Sequence, residues 1–339
     1  MSENKKPTAY ELRYRREDTK QPTVQTNEFI ERHLRRKTVR HFDINKKIDP
    51  AQLNYLFTCA QAAPSSSGAG SWSAIVLTTP EEKESFREHA GEVLGDVDIF
   101  NRLAFQTCSA YIIWVLDNFK LQRGIELVAN KKASAKALNF LNSRLKPGAG
   151  TAIPDWTNPD QLFDPAKHSE WMDQSYYSFR AMTDCTVAAQ TFVMCAESLG
   201  IKTMYMGSLA HCNISSFKNQ LNLPDRTFPI FGMCVGYETK QGTDHNGVPR
   251  QPDILRRFKS NPDWSVKPVM PLSAVVHQGR YNPDIIDQNL LEYNEVLMNY
   301  NDAIDPLRGG DYLVVRVTGR VKRVVNHIEQ MRAMGNKFL

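Results

Sequence analysis

Basic and hydroxyl side chains are concentrated in one short stretch, Arg36-Lys37-Thr38-Val39-Arg40. Three cations and a hydroxyl within five residues can hold a phosphate through charge-assisted hydrogen bonds. The same residues would also suit a solvated helix end, because cations stabilise the C-terminus of a helix through its dipole. The stretch by itself leaves a phosphate site and an ordinary helix end as alternatives.

A loop of small residues precedes the strand predicted to begin at Trp72, and its sequence is Pro64-Ser65-Ser66-Ser67-Gly68-Ala69-Gly70-Ser71. We call it the serine loop. Its hydroxyl groups and backbone amides could bond the edge of a heterocycle or a ribityl chain without crowding it. A plain linker between helix and strand is the alternative. The loop lacks the Gly-Lys-Ser/Thr ending of a Walker phosphate loop.

A strand is predicted to give way to a glycine-containing loop at Tyr205-Met206-Gly207-Ser208. A glycine there would let a backbone N–H approach a planar ligand, because it has no side chain to block the approach. Farther along the chain, Lys267 lies in an extended segment flanked by prolines and could add a cation. Both segments are also compatible with ordinary loops. The chain contains no Gly-x-Gly-x-x-Gly, which argues against a Rossmann dinucleotide site.

Other kinds of catalytic or metal site find no support in the sequence. The eight histidines form no His-Glu-x-x-His pair, the six cysteines form no Cys-x-x-Cys pair, and no Gly-x-Ser-x-Gly elbow occurs. We therefore expect no metal site and assign no catalytic side chain. The cysteines are interpreted as free buried thiols rather than disulfides.

Composition and hydropathy limit the partners. The net charge of +5 is too small and too dispersed to favour nucleic acid. No apolar run approaches the roughly 20 residues that a membrane span requires. The first twenty residues lack the apolar segment of a secretory signal. We therefore expect a cytoplasmic enzyme with no membrane partner.

The elements that must position these stretches follow from hydrophobic periodicity and capping residues. Helices are predicted at 27–36, 53–63 and 183–199, and buried strands at 72–78, 110–116 and 228–237. The third helix is rich in Ala, Cys, Ser and Thr, so we expect it to be central and tightly packed. Too few strands precede helices for a doubly wound sheet. The predicted class is α+β, with a mixed β-sheet flanked by helices.

The domain organisation is predicted from composition. Residues 1–22 are polar, without hydrophobic periodicity, and are predicted to form a flexible basic tail. Residues 23–339 are interpreted as one domain. An insertion is expected at about 121–172, and C-terminal helices from about residue 284.

In this order and spacing, the stretches together resemble one family, the oxygen-insensitive nitroreductases and NAD(P)H-flavin reductases, particularly their larger NADPH-preferring branch. Arg36-x-Thr38-x-Arg40 looks like the family's basic opening, and Pro64-Ser65-Ser66 looks like its serine loop. The most specific match is Leu223-Pro224 followed by Phe-Pro-Ile-Phe-Gly-Met-Cys-Val-Gly-Tyr at 228–237. The likeness covers about residues 27–118 and 177–281, and the C-terminal helices more loosely.

The resemblance implies an intertwined homodimer with FMN at two interface sites, and NADPH or NADH as co-substrate. It implies that Arg36, Thr38 and Lys267 hold the FMN phosphate, with Lys37 in the same stretch, and that Arg40 lies near the flavin N1/O2 edge. Gly207 would offer its N–H to flavin N5. The remaining implied contacts are made by the serine loop, expected from the partner subunit, and by the residues around the ring: Ser65, Ser66, Ser67, Asn101, Tyr205, Met206 and Ser208.

The sequence departs from the family pattern at three places. Val269 replaces the second basic residue of the family's Lys-Pro-Arg motif. Gly68 and Gly70 replace amide side chains in the serine loop. The insertion at 121–172 could cover the pocket. The first two departures predict weaker FMN binding than is usual in the family.

The implied function is FMN-dependent NAD(P)H oxidation, with hydride passed by a ping-pong mechanism to nitroaromatics, quinones or free flavin. A same-fold azo or dehalogenating reductase is one alternative. Another is a flavin-binding storage or sensing protein with little turnover. A nucleic-acid binder built on the basic tail and residues 128–145 is the most remote.

Overall fold

The computed structural model describes residues 8–14, 24–90, 99–129, 175–207, 209, 214–239 and 266–304. The helices in these ranges are α1 Ala9–Tyr14, α2 Glu28–Leu34, α3 Pro50–Gln61, α4 Pro80–Ala90, α5 Ile99–Thr107, α6 Phe119–Ala129, α7 Ser175–Ser198, α8 Ile214–Gln220 and α9 Ile286–Ile304. The strands are β1 Trp72–Leu77, β2 Ala110–Asp117, β3 Lys202–Met206 and β4 Thr227–Gly236. Short 3₁₀ helices lie at Ser66–Gly68, Leu272–Ala274 and Pro283–Ile285.

Capping residues define the starts of α2 and α3. The side chain of Asn27 accepts a hydrogen bond from the Ile30 N–H at 3.0 Å. The Asp49 carboxylate accepts one from the Ala51 N–H at 2.7 Å, and Pro50 occupies the first turn of α3. Each bond satisfies an N–H that has no partner inside the helix. The basic stretch therefore follows directly on a short, well-started helix.

The four strands form one sheet in the order β1-β2-β4-β3. Central strand β2 is buried along its whole length, as its run of aromatic and β-branched residues predicts. It pairs with β1 through Trp72↔Leu116 and with β4 through Tyr111↔Cys234, both antiparallel. The expected α+β class is confirmed. All pairings among the described strands are antiparallel, so the parallel pairing of a mixed sheet is not seen in this part of the chain.

Helices cover both faces of the sheet. On one face, Tyr111 packs against Phe86 of α4 and Phe105 of α5, with ring centroids 5.7 and 4.7 Å apart. On the other face, Trp114 packs against Phe192 of α7 at 5.9 Å, and α3 contributes Phe57 at 6.1 Å. Alternation of side chains along β2 accounts for the two separate cores.

Helix α7 is the central helix that its small residues predicted. Cys185, Ala188, Ala189 and Ala196 are fully buried, and α7 lies against α3 and the sheet of its own chain. Absence of bulky side chains on this face allows the close approach. The helix begins at Ser175, earlier than expected, and ends before Gly200, whose φ of +75° suits a glycine that closes a helix.

The N-terminal segment differs from its prediction. Residues 9–14, assigned to a flexible tail, form helix α1, in which Ala9 and Leu12 are buried. Two apolar residues at helical spacing are enough to dock one turn on neighbouring elements, but they are too few to show periodicity. Of the predicted insertion at 121–172, residues 121–129 belong to α6 and the rest lie outside the described residues. No helix in the described ranges is long and apolar enough to span a membrane.

Candidate functional site

The basic stretch runs from the end of α2 along the sheet. Val39 is buried and donates its N–H to the Thr203 carbonyl of β3 at 3.4 Å, whereas Thr38 and Arg40 are exposed on either side of it. Lys37 pairs with Glu238 at 2.6 Å, just beyond β4. Because its ammonium group already pairs with this carboxylate, we leave Lys37 out of the phosphate ligands proposed below.

The second basic segment, around Lys267, lies beside the first. A single side chain, Arg13 of α1, bonds to both. Its Nε donates to the Leu34 carbonyl at 2.6 Å and its Nη1 to the Lys267 carbonyl at 3.0 Å. Its Nη2 donates to the Arg36 carbonyl. The two stretches predicted to hold a phosphate are therefore neighbours, joined by a residue that sequence reasoning placed in a tail.

Positive charge is concentrated where these segments meet. Burial lowers the pKa of His33, and the charges of Arg36 and Arg13 lower it further against an opposing effect of the Glu197 carboxylate. Burial and the charge of Arg36 also lower the pKa of Arg13. These shifts show that the cations create a positive electrostatic potential in this region. A positive potential favours the binding of an anion.

The end of β3 adjoins this basic region. Tyr205 stacks edge-on against Phe231 with centroids 5.1 Å apart, and its hydroxyl donates to the Gln190 side chain at 3.3 Å. Burial raises the pKa of Tyr205 to about 12, with Arg36 close enough to oppose the rise. At neutral pH the tyrosine is therefore an uncharged donor on the same side of the sheet as α7.

Gly207 follows β3 and is exposed. A Cβ built on it meets nothing within 4 Å, and its φ lies outside the left-handed region. Neither backbone conformation nor packing within the described chain therefore requires glycine at this position. Space for a ligand would explain a glycine at position 207. This explanation agrees with the prediction that a planar ring approaches the Gly207 N–H.

The serine loop is held by a buried carboxylate. The Ser66 N–H donates to Asp184 Oδ1 at 3.0 Å, and Ser65 Oγ accepts from the Gly70 N–H at 3.3 Å. Gly68 and Gly70 have φ of +65° and +55°, so the backbone itself calls for glycine there.

Asp184 is a residue that sequence reasoning missed, because one aspartate in a helix carries no motif. It is 5% exposed, and its second oxygen, Oδ2, has no hydrogen-bond partner among the described residues. A buried carboxylate oxygen without a partner is costly, by about 1–3 kcal/mol or more. The arrangement is therefore suited to a donor supplied from outside the described part of the chain.

The family model for the Nitroreductase family matches residues 34–237, more than half of the chain. The chain belongs to the nitroreductase family. The match includes the basic stretch, the serine loop and the end of β3. It leaves α1 with Arg13, and the Lys267 segment, outside its limits.

Individual nitroreductase relatives agree with the family match. The oxygen-insensitive NADPH nitroreductase of Salmonella typhimurium is 32% identical over 120 residues, which cover 35% of this chain and 40% of that protein. The chain spans about half the length, or less, of the curated relatives it matches.

Solved nitroreductase structures share the fold along nearly the whole chain. The NfrA1 nitroreductase of B. subtilis covers 92% of this chain and 99% of its own, at a TM-score of 0.63 and 19% identity. The NADPH:FMN oxidoreductase of Vibrio harveyi, solved with NAD+, covers 91% and 99%, at a TM-score of 0.57 and 18% identity.

Within this nitroreductase, four predicted site residues are placed differently or lie outside the description. Met206 is buried in the core beside Cys234, because strand alternation turns it to the sheet face opposite Tyr205. Its side chain therefore does not shape the predicted ring face. Asn101 lies on α5, and its side chain is outside the described residues, as is that of Ser67. Ser208 lies wholly outside them.

Proposed function

We propose that this nitroreductase is an FMN-dependent NAD(P)H oxidoreductase that reduces nitroaromatics, quinones or free flavin. The observation that carries the proposal is the meeting of the Arg36 and Lys267 segments, with their positive potential, next to the open space at Gly207. A ligand that fits this site has an anionic group at one end and a flat ring at the other, and FMN has both. The NADPH named for the Salmonella typhimurium relative and the FMN named for the Vibrio harveyi enzyme support the same pair of cofactors.

The residues divide the work of holding FMN. Arg36, Thr38 and Lys267 would hold the phosphate, and the Gly207 N–H would face the ring. Bound FMN would supply the chemistry, accepting hydride at N5 from the nicotinamide and passing it to an acceptor in a ping-pong cycle. No protein side chain is assigned a catalytic role.

Arg40 has an electrostatic task in this proposal. A cation near N1/O2 stabilises the negative charge that develops on a reduced ring, and removing such a fixed partner raises a barrier by about 2.7–4 kcal/mol in well-studied cases. Arg40→Ala should therefore weaken FMN binding and slow reduction by NADPH, measured by stopped-flow absorbance. Arg123→Ala is the matched control, because Arg123 of α6 is exposed and its ion pair among the described residues is a local one, with Glu126. Equal behaviour of the two variants would remove Arg40 from the site.

Val269 offers a gain-of-function test. Its side chain is exposed, at 39%, so a larger side chain can be accommodated. Its N–H donates to the Arg13 carbonyl at 2.9 Å, a bond that substitution preserves. An exposed ion pair contributes only ~0.2–1 kcal/mol, but a charge-assisted bond to a partly enclosed phosphate contributes about 1.5–3 kcal/mol. We expect Val269→Arg to tighten FMN binding about tenfold by fluorescence titration; unchanged affinity would mean that position 269 does not face the phosphate.

We also propose that the enzyme is a homodimer whose subunits share each site. Three exposed aliphatic residues lie close together in sequence, at Leu272, Val275 and Val276, which supports an interface with a second copy of the chain. The family resemblance implies that each flavin takes the serine loop from one subunit and the basic stretch from the other. A cytoplasmic location stays a prediction.

FMN rebinding tests the proposed function. Apoprotein prepared by removing any bound flavin should take up one FMN per chain. Fluorescence quenching of added FMN measures the uptake, and lumichrome, which has the ring without ribityl phosphate, is the comparison ligand. Absence of FMN binding up to millimolar concentration would refute the proposal.

A further inference from the structure

We propose that Arg13 is a positioning residue that builds the phosphate end of the flavin site from outside the family-matched region. The inference rests on the proposed function, because it assigns α1 a task in binding the FMN phosphate. Helix α1 precedes the family match at 34–237. It belongs to the segment expected to be a tail, yet it contacts both basic segments.

The contacts of Arg13 form a three-point clasp. Its guanidinium donates to the carbonyls of Leu34, Arg36 and Lys267. A guanidinium suits this task because its five N–H donors project in a fixed plane, whereas a lysine offers one compact donor group. Three carbonyls bound to one rigid group have fixed mutual positions.

Further interactions hold Arg13 and the two segments in place. Leu34 is the last residue of α2, so its carbonyl is one of those left without a partner at the helix end, and a cation there is favourable. On the opposite side, the Val269 N–H donates back to the Arg13 carbonyl at 2.9 Å. Buried Leu12 holds α1 in place beside these bonds.

The charges explain why a clasp is needed. Arg13 lies close to Arg36, and burial together with the charge of Arg36 lowers the pKa of Arg13. Lys267 adds a third cation to the same region. The hydrogen bonds of Arg13 oppose the repulsion between the cations of the two segments. A phosphate between Arg36 and Lys267 would offset that repulsion, and the clasp sets the gap beforehand, which reduces the ordering needed on binding.

Comparison of FMN with riboflavin isolates this role, because riboflavin has the same ring and ribityl chain without the phosphate. Arg13→Met removes every donor and keeps the apolar stem, and Arg13→Lys keeps the charge without the planar fork. Affinities of the apoproteins for both flavins are measured by fluorescence titration. Arg32→Met is the control, since Arg32 also donates to a helix-end carbonyl, that of Ser198, and its hydrogen bonds within the described ranges go to Ser198 and Glu28.

We expect wild type to prefer FMN to riboflavin. Arg13→Met should weaken FMN binding about tenfold, the loss expected when one charge-assisted phosphate contact is misplaced, and leave riboflavin binding within about twofold of wild type. The FMN affinity of Arg13→Lys should lie between those of wild type and Arg13→Met. The FMN affinity of Arg32→Met should equal that of wild type. If Arg13→Met does not fold, the ratio of FMN affinity to riboflavin affinity in Arg13→Lys decides the test.

The failure of the inference and that of the proposed function look different. Wild type that binds neither flavin refutes the function. Wild type that prefers FMN, with variants whose FMN-to-riboflavin ratio is unchanged, leaves the function intact and overturns the clasp. An equal loss of both flavins in Arg13→Met also overturns it, because the change would then act on the general fold.

Discussion

Replacing Gly207 by valine should abolish tight FMN binding while leaving the fold intact. A Cβ at this position meets no atom of the described residues within 4 Å, and Gly207 does not use a left-handed φ, so the described part of the chain tolerates the side chain. Bound FMN would meet it, because the proposal places the flavin ring against the Gly207 N–H. Overpacking a fitted contact costs about 1–3 kcal/mol, and a branched side chain belongs at the upper end. We expect FMN affinity to fall about a hundredfold by fluorescence titration.

Gly124 provides the matched control for Gly207. It too has ordinary φ and nothing within 4 Å of a built Cβ, but it lies on helix α6. Gly124→Ala should leave FMN binding unchanged and raise the free energy of unfolding by up to about 1 kcal/mol, because alanine favours helix. Gly207→Val protein with wild-type melting temperature and wild-type FMN affinity would show that the ring lies elsewhere.

A double substitution, Val275→Asp with Val276→Asp, should convert the proposed dimer into folded monomers that lack FMN. These two side chains are 60% and 53% exposed and stand next to Leu272, which is 55% exposed. Adjacent exposed aliphatic residues are typical of an interface. Two buried carboxylates in such an interface would strongly oppose assembly. Sedimentation velocity at micromolar concentration, with flavin absorbance recorded, measures mass and occupancy together.

Each outcome of the dimer test leads to a different conclusion about the interface. Monomers with lost flavin support sites shared between subunits. A flavin-saturated wild-type monomer would contradict sharing altogether. If the double variant still forms dimers, the interface does not include Val275. Circular dichroism confirms that the variant chains are folded, as expected because neither valine belongs to the core.

Ala189→Trp, an obvious substitution from the sequence, is not a clean test of assembly. The small residues of α7 were expected to pack tightly, and they do, against α3 of the same chain. Ala189 is fully buried there. A tryptophan would overpack the core of each subunit, so loss of the dimer would follow from loss of the fold. The structure therefore redirects the test to exposed positions.

Features set by local chemistry were predictable from the sequence. The helical pattern at 53–63 predicted α3, the apolar run at 110–116 predicted the central strand β2, and small residues predicted the packing of α7. Each depends on neighbours along the chain, on hydrogen bonds within a turn or on the period of a strand. The family resemblance, which the family match confirms, added the site stretches as an expectation.

Features set by distant contacts were not predictable. Arg13 acts through carbonyls more than 20 and more than 250 positions away along the chain, and no motif records such contacts. Asp184 holds the serine loop across 118 positions. The family resemblance assigned Met206 to the ring face, whereas the strand turns it into the core. The ion pair between Lys37 and Glu238 likewise joins residues far apart in sequence, and no local pattern indicates it.

Anaerobic titration of the purified, FMN-loaded protein with NADPH tests the central claim most directly. The account predicts that flavin absorbance bleaches with one NADPH per FMN and returns when a nitroaromatic, a quinone or free flavin is added. Bleaching without return would point to a flavin store or sensor. Bound flavin that neither NADPH nor NADH bleaches would contradict the proposal that this nitroreductase is an NAD(P)H oxidoreductase.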